Sequence, residues 1–314
     1  MIEKTKKQGP VLLVDSGNAL WKQPGLLGEA DEKRAAFILA TMGKLGTQAM
    51  AAGQRDLVQG PQWLKAQAAK AKVPVVSANI VGKDDKPFFA PSHVVETGAA
   101  RVALIGASPA GPVPKSADVK AVPAAPLVRA EAKRLRALTG KEKVDLIVVL
   151  AAVPYADGLQ LSRELGGSVD LILQSHEARG PGMAQKGDSN FVVPSGERGR
   201  MLGVLTVPLG EGLLQDGAEL ERDEQTLKML EQQTETVKAR IAAAKDAETK
   251  AALGRTLTQF DERKKDVQSR ITAGRKAGGR RLGLEWVTLT PDVGEDAALA
   301  AEVRRIEPPG SAGH

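Results

Sequence analysis

The chain has no cysteine. Disulfides, thiolate metal sites and thiol nucleophiles are therefore excluded. Only three histidines occur in 314 residues, so a His-based catalytic triad has little to draw on. Aromatic residues make up 3% of the chain. The core must therefore be built from Leu, Val, Ile and Ala, and a base-stacking surface for nucleic acid is disfavoured. No apolar run approaches the ~20 residues of a membrane-spanning helix. The opening Met1-Ile2-Glu3-Lys4 lacks the apolar stretch of a signal peptide. Proline is absent from about 216 to 276. No P-loop is found, nor a Gly-x-Gly-x-x-Gly that follows a strand.

What is present reads as an ordinary globular protein, 42% hydrophobic and 26% charged, with a formal net charge of +6. The basic clusters, Lys4, Lys6 and Lys7 and then Arg275, Lys276, Arg280 and Arg281, are read as solvated helix faces and ends. No nucleic-acid partner is expected.

The first two-thirds alternate short apolar runs with amphipathic helical stretches. Strands are expected at 11–14, 48–52, 75–78, 146–150, 171–173, 191–193 and 201–207. Helices are expected at 32–45, 62–71, 125–138 and 159–165. The segments around Gly98, 94–96 and 101–105, read as a hairpin. The Ala/Pro-rich stretch 107–126 reads as an extended loop. Alternation of this kind means an α/β fold, and the hairpin makes its sheets mixed.

From about 216 the texture changes. Leu227, Leu230, Thr234, Val237, Ile241 and Ala244 follow a 3,4 spacing, as do Leu253, Leu257, Phe260, Lys264, Val267 and Ile271. Both sets are coiled-coil-like, and they are out of phase with each other. A phase break near 245–250 predicts an antiparallel helical hairpin over 218–275. The alternative is a single rod of about 90 Å at ~1.5 Å per residue. Residues 284–289 then read as a strand returning to the α/β domain. The expected division is 1–215 for that domain, 216–278 for an inserted hairpin, 279–306 for the return strand and helix, and 307–314 for a tail.

Six pieces in order resemble one known family. Val11-Leu-Leu-Val-Asp15-Ser-Gly17-Asn18 resembles a strand ending in Asp-x-Gly-Asp. Leu45-Gly46-Thr-Gln-Ala49-Met50-Ala-Ala-Gly53-Gln54-Arg55-Asp56 is similar to Leu-Gly-x-x-Ala-Met-x-x-Gly-Asn-His-Glu. Val75-Val-Ser77-Ala78-Asn79-Ile80 resembles the next strand. Asp145–Ala152 resembles a strand ending Leu-Ser-His. Asp170-Leu-Ile-Leu-Gln-Ser-His176-Glu-Ala178 resembles Asp-x-Ile-x-Gly-Gly-His-x-His. Val193–Gly203 resembles an Ala-Gly-Glu-x-Gly-x-x-Leu-Gly element. Together they resemble the catalytic domain of the 5′-nucleotidase family of calcineurin-like metallophosphoesterases, over about 10–207 and again over 282–306.

The resemblance implies a layered metallophosphoesterase-like α/β sandwich whose strand ends hold two divalent metals, which clamp a phosphoryl group and activate a water. At the matching positions this chain departs from the pattern. Asn18 stands where the metal-bridging Asp is expected, Gln54 and Arg55 replace Asn and His, Ala152 replaces a later His, and Ala178 replaces the last one. The family's first Asp-x-His motif has no counterpart in the Lys-rich lead before Pro10. Asp15 and His176 are the ligands left, Asp15 being otherwise a turn cap and His176 an ordinary hydrogen-bonded side chain. The vestigial site thus comprises Asp15, Asn18, Gln54, Arg55, Asp56, Ala152, His176 and Ala178. No cofactor is expected beyond weak binding of Mn, Zn or Mg.

Two functions follow. The first is a catalytically degenerate scaffold, whose 218–275 hairpin receives a protein partner or a second copy. The alternative is a metal-dependent phosphoesterase or 5′-nucleotidase-type hydrolase with altered ligands and a missing first motif. The resemblance places such proteins in the periplasm, although no signal segment is visible.

Overall fold

A computed structural model describes residues 2–7, 9–22, 28–98, 100–175, 185–186, 189–196, 199–210, 214–276 and 280–306. The chain divides into two compact units, residues 1–204 with 284–314 and residues 205–283.

The first unit opens with α1 (Ile2–Lys6), β1 (Leu13–Asp15), α2 (Glu29–Leu45), β2 (Thr47–Ala51), α3 (Pro61–Ala71) and β3 (Val75–Val76). Glu29, Asp31 and Glu32 place negative charge in the first turn of α2, where the helix dipole favours it. Gly46, at φ 78°, ends that helix in the left-handed conformation that glycine adopts without strain. Pro61 starts α3 at a position where its missing N–H costs nothing. β1, β2 and β3 pair in parallel to form a three-stranded sheet.

The chain continues with β4 (Ile80–Val81), β5 (Ser92–Thr97), β6 (Ala100–Ala107), β7 (Gly111–Pro112), β8 (Lys120–Ala121), α4 (Ala124–Arg136), β9 (Leu146–Ala151), α5 (Tyr155–Leu165), β10 (Leu171–Gln174), β11 (Gln185–Lys186) and β12 (Phe191–Pro194). A six-stranded sheet runs in the order β11–β12–β10–β9–β6–β5. Its four inner strands are parallel, and the two edges, β5 and β11, are antiparallel to their neighbours. The fold is therefore mixed α/β. All six residues of β9 are buried, as befits a central strand covered on both faces. Ile105, Ile147, Val149 and Ile172 pack against Val128, Ala132 and Leu135 of α4 and Leu161 and Leu165 of α5. Each such aliphatic side chain contributes roughly 1.5–3 kcal/mol when fully buried.

The limits of these strands differ from expectation by at most two residues. Val11 and Leu12 precede β1, and the third strand stops at Val76. The stretch 107–126, expected to be a loop, contains β7 and β8. β8 pairs with β4 on one side and β7 on the other in a small antiparallel sheet. Two-residue strands carry no periodicity, which is why composition alone read the segment as irregular.

The six-stranded sheet and the β1–β2–β3 sheet meet closely at Gly106. A Cβ there would lie 2.1 Å from the Val76 carbonyl oxygen. The Ala78 N–H donates to Gly106 O at 2.8 Å, fixing that approach. Later in this unit, Gly203 of β13 (Met201–Thr206) lies under the indole of Trp286, and α8 (Ala297–Ile306) packs on α2 with Lys44 paired to Glu302.

The second unit contains β14 (Leu214–Asp216), α6 (Gly217–Ala243), α7 (Ala247–Lys276) and the start of β15 (Arg280–Thr288), which β14 meets in parallel register. Asp216 caps α6 by accepting from the Ala218 N–H. Leu230, Thr234 and Val237 of α6 and Val267 and Ile271 of α7 are buried where the helices pack. Arg270 holds Asp223, and Arg275 holds Glu224, so the two helices run antiparallel. The break between them is local chemistry. Asp246 accepts from the Thr249 N–H at 2.6 Å, an N-cap that restarts the helix.

Gly106→Ala should lower the thermal midpoint by several degrees, because the clash is with backbone, and overpacking of this kind costs about 1–3 kcal/mol. Circular dichroism melts of the two proteins test it. An unchanged midpoint would show that the sheets separate freely at this point.

Candidate functional site

The carboxyl ends of β1, β2, β9 and β10 converge on one place. β1 ends at Asp15, and the chain turns sharply through Gly17 (φ 88°) and Asn18 (φ 65°). A Cβ on Gly17 would stand 2.7 Å from Ala51 O and 3.0 Å from the Ala152 Cβ, so only glycine lets this turn sit against both sheets. Asn18 is one of the few residue types that tolerate a left-handed backbone. Gly53 is needed for a related reason, since a Cβ there would lie 2.6 Å from Asn18 Oδ1.

Asp56 organises the turn. Its carboxylate is fully buried and accepts from four backbone N–H groups: Asn18 at 2.6 Å, Ala19 at 2.9 Å, Leu20 at 3.0 Å and Gly53 at 2.9 Å. The side-chain amide of Asn18 is used at both ends. Its Oδ1 accepts from the Arg55 N–H at 3.1 Å, and its Nδ2 donates to Ser175 O at 3.2 Å. That orientation of the amide is the one that satisfies both neighbours. Ser175 Oγ in turn lies 2.6 Å from Ser16 O and 2.8 Å from Gly17 O.

Asp15, Asn18, Arg55, Asp56 and Ala152 are thus gathered at one set of strand ends. Gln54 is exposed beside them. His176, Ala178 and Arg179 lie outside the described residues. His93 is on β5 and partly buried, and its pKa is lowered by burial. Burial pushes the Asp15 carboxyl up to about 6, opposed by the Gly17 N–H. Burial, then the Asp15 charge, push Asp56 up to about 7, against its backbone donors. Among the described residues, no group of three or more His, Cys, Asp or Glu side chains converges as a metal site would require.

Comparison with known proteins gives a consistent picture. The chain is 29% identical to an apyrase from Aedes albopictus over 143 residues, which is 42% of this chain and 24% of that protein. The sulfate thiohydrolase SoxB of Thermus thermophilus superposes with a TM-score of 0.58 at 17% identity, over 67% of this chain and 39% of that one. A 5′-nucleotidase precursor, also from Thermus thermophilus, gives a TM-score of 0.57 at 24% identity, over 67% of this chain and 46% of that one. The fold is that of the calcineurin-like phosphoesterases. No protein-family model matches the chain. It spans less than half the length of these three proteins.

Phosphoesterases of this fold imply divalent metals, and the described residues do not fit a pair of them. A dinuclear centre sets two cations about 3.5–4 Å apart, and anionic ligands must offset their repulsion. Asn18 brings no charge, and both ends of its amide are engaged. The Asp56 carboxylate is occupied by backbone donors. Ala152 has no donor atom, and Arg55 adds a permanent positive charge nearby. Among the described residues, Asp15 presents a carboxylate that accepts from the Gly17 N–H at 2.7 Å. With a pKa near 6 it is able to take up and release a proton near neutrality.

One residue of the site was not singled out from the sequence. Ser175 stands where the compared pattern has the second glycine of Gly-Gly-His. A side chain in place of none was the available signal.

The raised carboxyl groups set a pH dependence. An Asp whose folded pKa exceeds its unfolded value binds its proton more tightly in the folded state. Its contribution to stability is therefore fully present below the unfolded value of about 3.8 and is lost as pH rises through about 6 for Asp15 and about 7 for Asp56. Asp15→Asn should flatten the fall in thermal midpoint between pH 4 and pH 7. Melts at unit pH intervals measure this, and identical slopes in both proteins would refute the assignment.

Proposed function

We propose that this chain is a catalytically degenerate phosphoesterase-fold domain that works as a scaffold. In this reading the paired helices α6 and α7 form a coiled-coil hairpin inserted in the α/β domain that receives a protein partner or a second copy. The observation that carries the loss of catalysis is the Asn18 amide. It lies where a bridging carboxylate would be needed and is consumed by hydrogen bonds to Arg55 N–H and Ser175 O. The helix pair supports an interaction role through its thin seam. Ile241, Leu253 and Leu257, toward its connecting turn, are only partly buried, and Met229 is 47% exposed.

A second reading retains hydrolysis. The relatives compared above are an apyrase, a thiohydrolase and a 5′-nucleotidase precursor. Asp15 is also poised to move a proton near neutral pH. Loose binding of a single Mn, Zn or Mg ion at Asp15 and His176 belongs to this reading, with a phosphoric ester as substrate.

One experiment decides between them. The purified chain is incubated with manganese or zinc, desalted and analysed for metal, then assayed on an aryl phosphate and on nucleotides. The degenerate reading expects fewer than two metals per chain and no turnover above background. Two tightly held metals, or turnover that Asp15→Ala abolishes, would establish the hydrolase instead.

A further inference from the structure

Asn18 and Ser175 belong to different sheets. Asn18 follows β1 of the three-stranded sheet, and Ser175 follows β10 of the six-stranded one. Both sheets lie in the same compact unit. The hydrogen bonds that these two side chains donate therefore cross from one sheet to the other, and they do so in both directions. The Asn18 side chain donates to the Ser175 carbonyl, while the single Ser175 hydroxyl proton is shared between the Ser16 and Gly17 carbonyls. Ser108, which follows β6, adds a parallel link by donating from Oγ to Ala52 O at 2.6 Å.

We propose that Asn18 and Ser175 form a side-chain clasp that fastens the carboxyl ends of the two sheets to each other, and that an amide at position 18 is required for it. The amide is the decisive group because its two ends must differ. One end faces an N–H, that of Arg55, and the other faces a carbonyl, that of Ser175. A carboxylate satisfies the first and repels the second. Asn and Asp are nearly identical in shape, so shape alone does not discriminate them here. The left-handed backbone at Asn18, held by the Asp56 carboxylate through the Asn18 N–H, aims the amide across the gap. Ser175 is 8% exposed, so water competes poorly for its groups and a broken bond is not readily replaced. The clasp is independent of whether the chain hydrolyses esters.

The test combines three variants of the full chain with amide hydrogen exchange. Asn18→Asp should lower the thermal midpoint by about 4 °C or more, since a buried carbonyl loses its donor and meets a charge. Added manganese or zinc should not restore it. Asn18→Ala should speed exchange on both sides of the gap, at residues 18–20 in one sheet's loops and at residue 175 after β10. Ser175→Gly should do the same, and it carries the test if Asn18→Ala does not fold. Faster exchange confined to residues 18–20 in both Asn18→Ala and Ser175→Gly would overturn the clasp. So would an Asn18→Asp protein as stable as the parent, or one that manganese stabilises. Metal content and turnover of the unmodified chain are read separately, so a failure of the scaffold reading is distinguishable from a failure of the clasp.

Discussion

The carboxylate of Asp56 is the constraint on which the strand-end region depends. Four backbone N–H groups from two loops point at one buried group. These donors lie outside the helices and strands, and unpaired buried donors are costly. Removing the carboxylate would leave all four to water that cannot readily reach them. Holding it there has its own cost, visible in the rise of its pKa to about 7 under burial and the nearby Asp15. The turn through Gly17 and Asn18 persists because Asp56 gathers its amides, and the left-handed Asn18 persists because that turn does.

From that anchor the packing of the two sheets follows. Gly17, Gly53 and Gly106 each sit where a methyl group would strike backbone or the Asn18 amide. These positions let the sheets close to a distance at which Ser108 and Ser175 reach carbonyls on the other side. Ser77 and Asn79 extend the same polar layer inward. The Asn79 amide accepts from Ser108 N–H and donates to Ser108 O and Val122 O, so its polar atoms are satisfied although fully buried. A fully connected buried network of this kind fixes one arrangement of loops more sharply than apolar packing does.

Much of the fold was legible in the sequence, and the reasons are local. β9 is an unbroken apolar run and β10 starts with one, each directly after an aspartate, Asp145 and Asp170, which marks central parallel strands. The Gly98 hairpin announced itself through its glycine, whereas α2 starts at Glu29, three residues before the expected start. β7 and β8 did not announce themselves, because two residues cannot display a period. Within the site, the order of motifs pointed to Asp15, Asn18, Arg55, Asp56 and Ala152, and the loops do bring these together. What sequence could not supply was the job of each. Asp56 matches a motif position, yet only its hydrogen bonds show it to be the anchor of the turn. Ser175 departs from the compared pattern, and its role arises where two sheets approach. It lies 158 residues from Gly17 in the chain, a separation that no local pattern records.

In the proposed scaffold reading, a shared fold and a shared chemistry separate at this site. The phosphoesterase architecture needs strand ends that converge, loops that turn tightly, and glycines that permit both, and this chain has them. Catalysis by two metals needs converging negative charge, and among the described residues only Asp15 offers a carboxylate not taken up by several backbone donors. Asp56 faces backbone donors, the position beside it holds an amide, and Arg55 brings the opposite sign. Fold similarity at 17% and 24% identity therefore supports the architecture and stops there. The convergence point need not be idle without its ligands. Polar groups brought together by the fold must still be satisfied, and at this junction they satisfy one another across the two sheets. On the scaffold reading, a centre that does not have to stay open to ions and substrate is free to be filled by hydrogen bonds, which trades reactivity for cohesion.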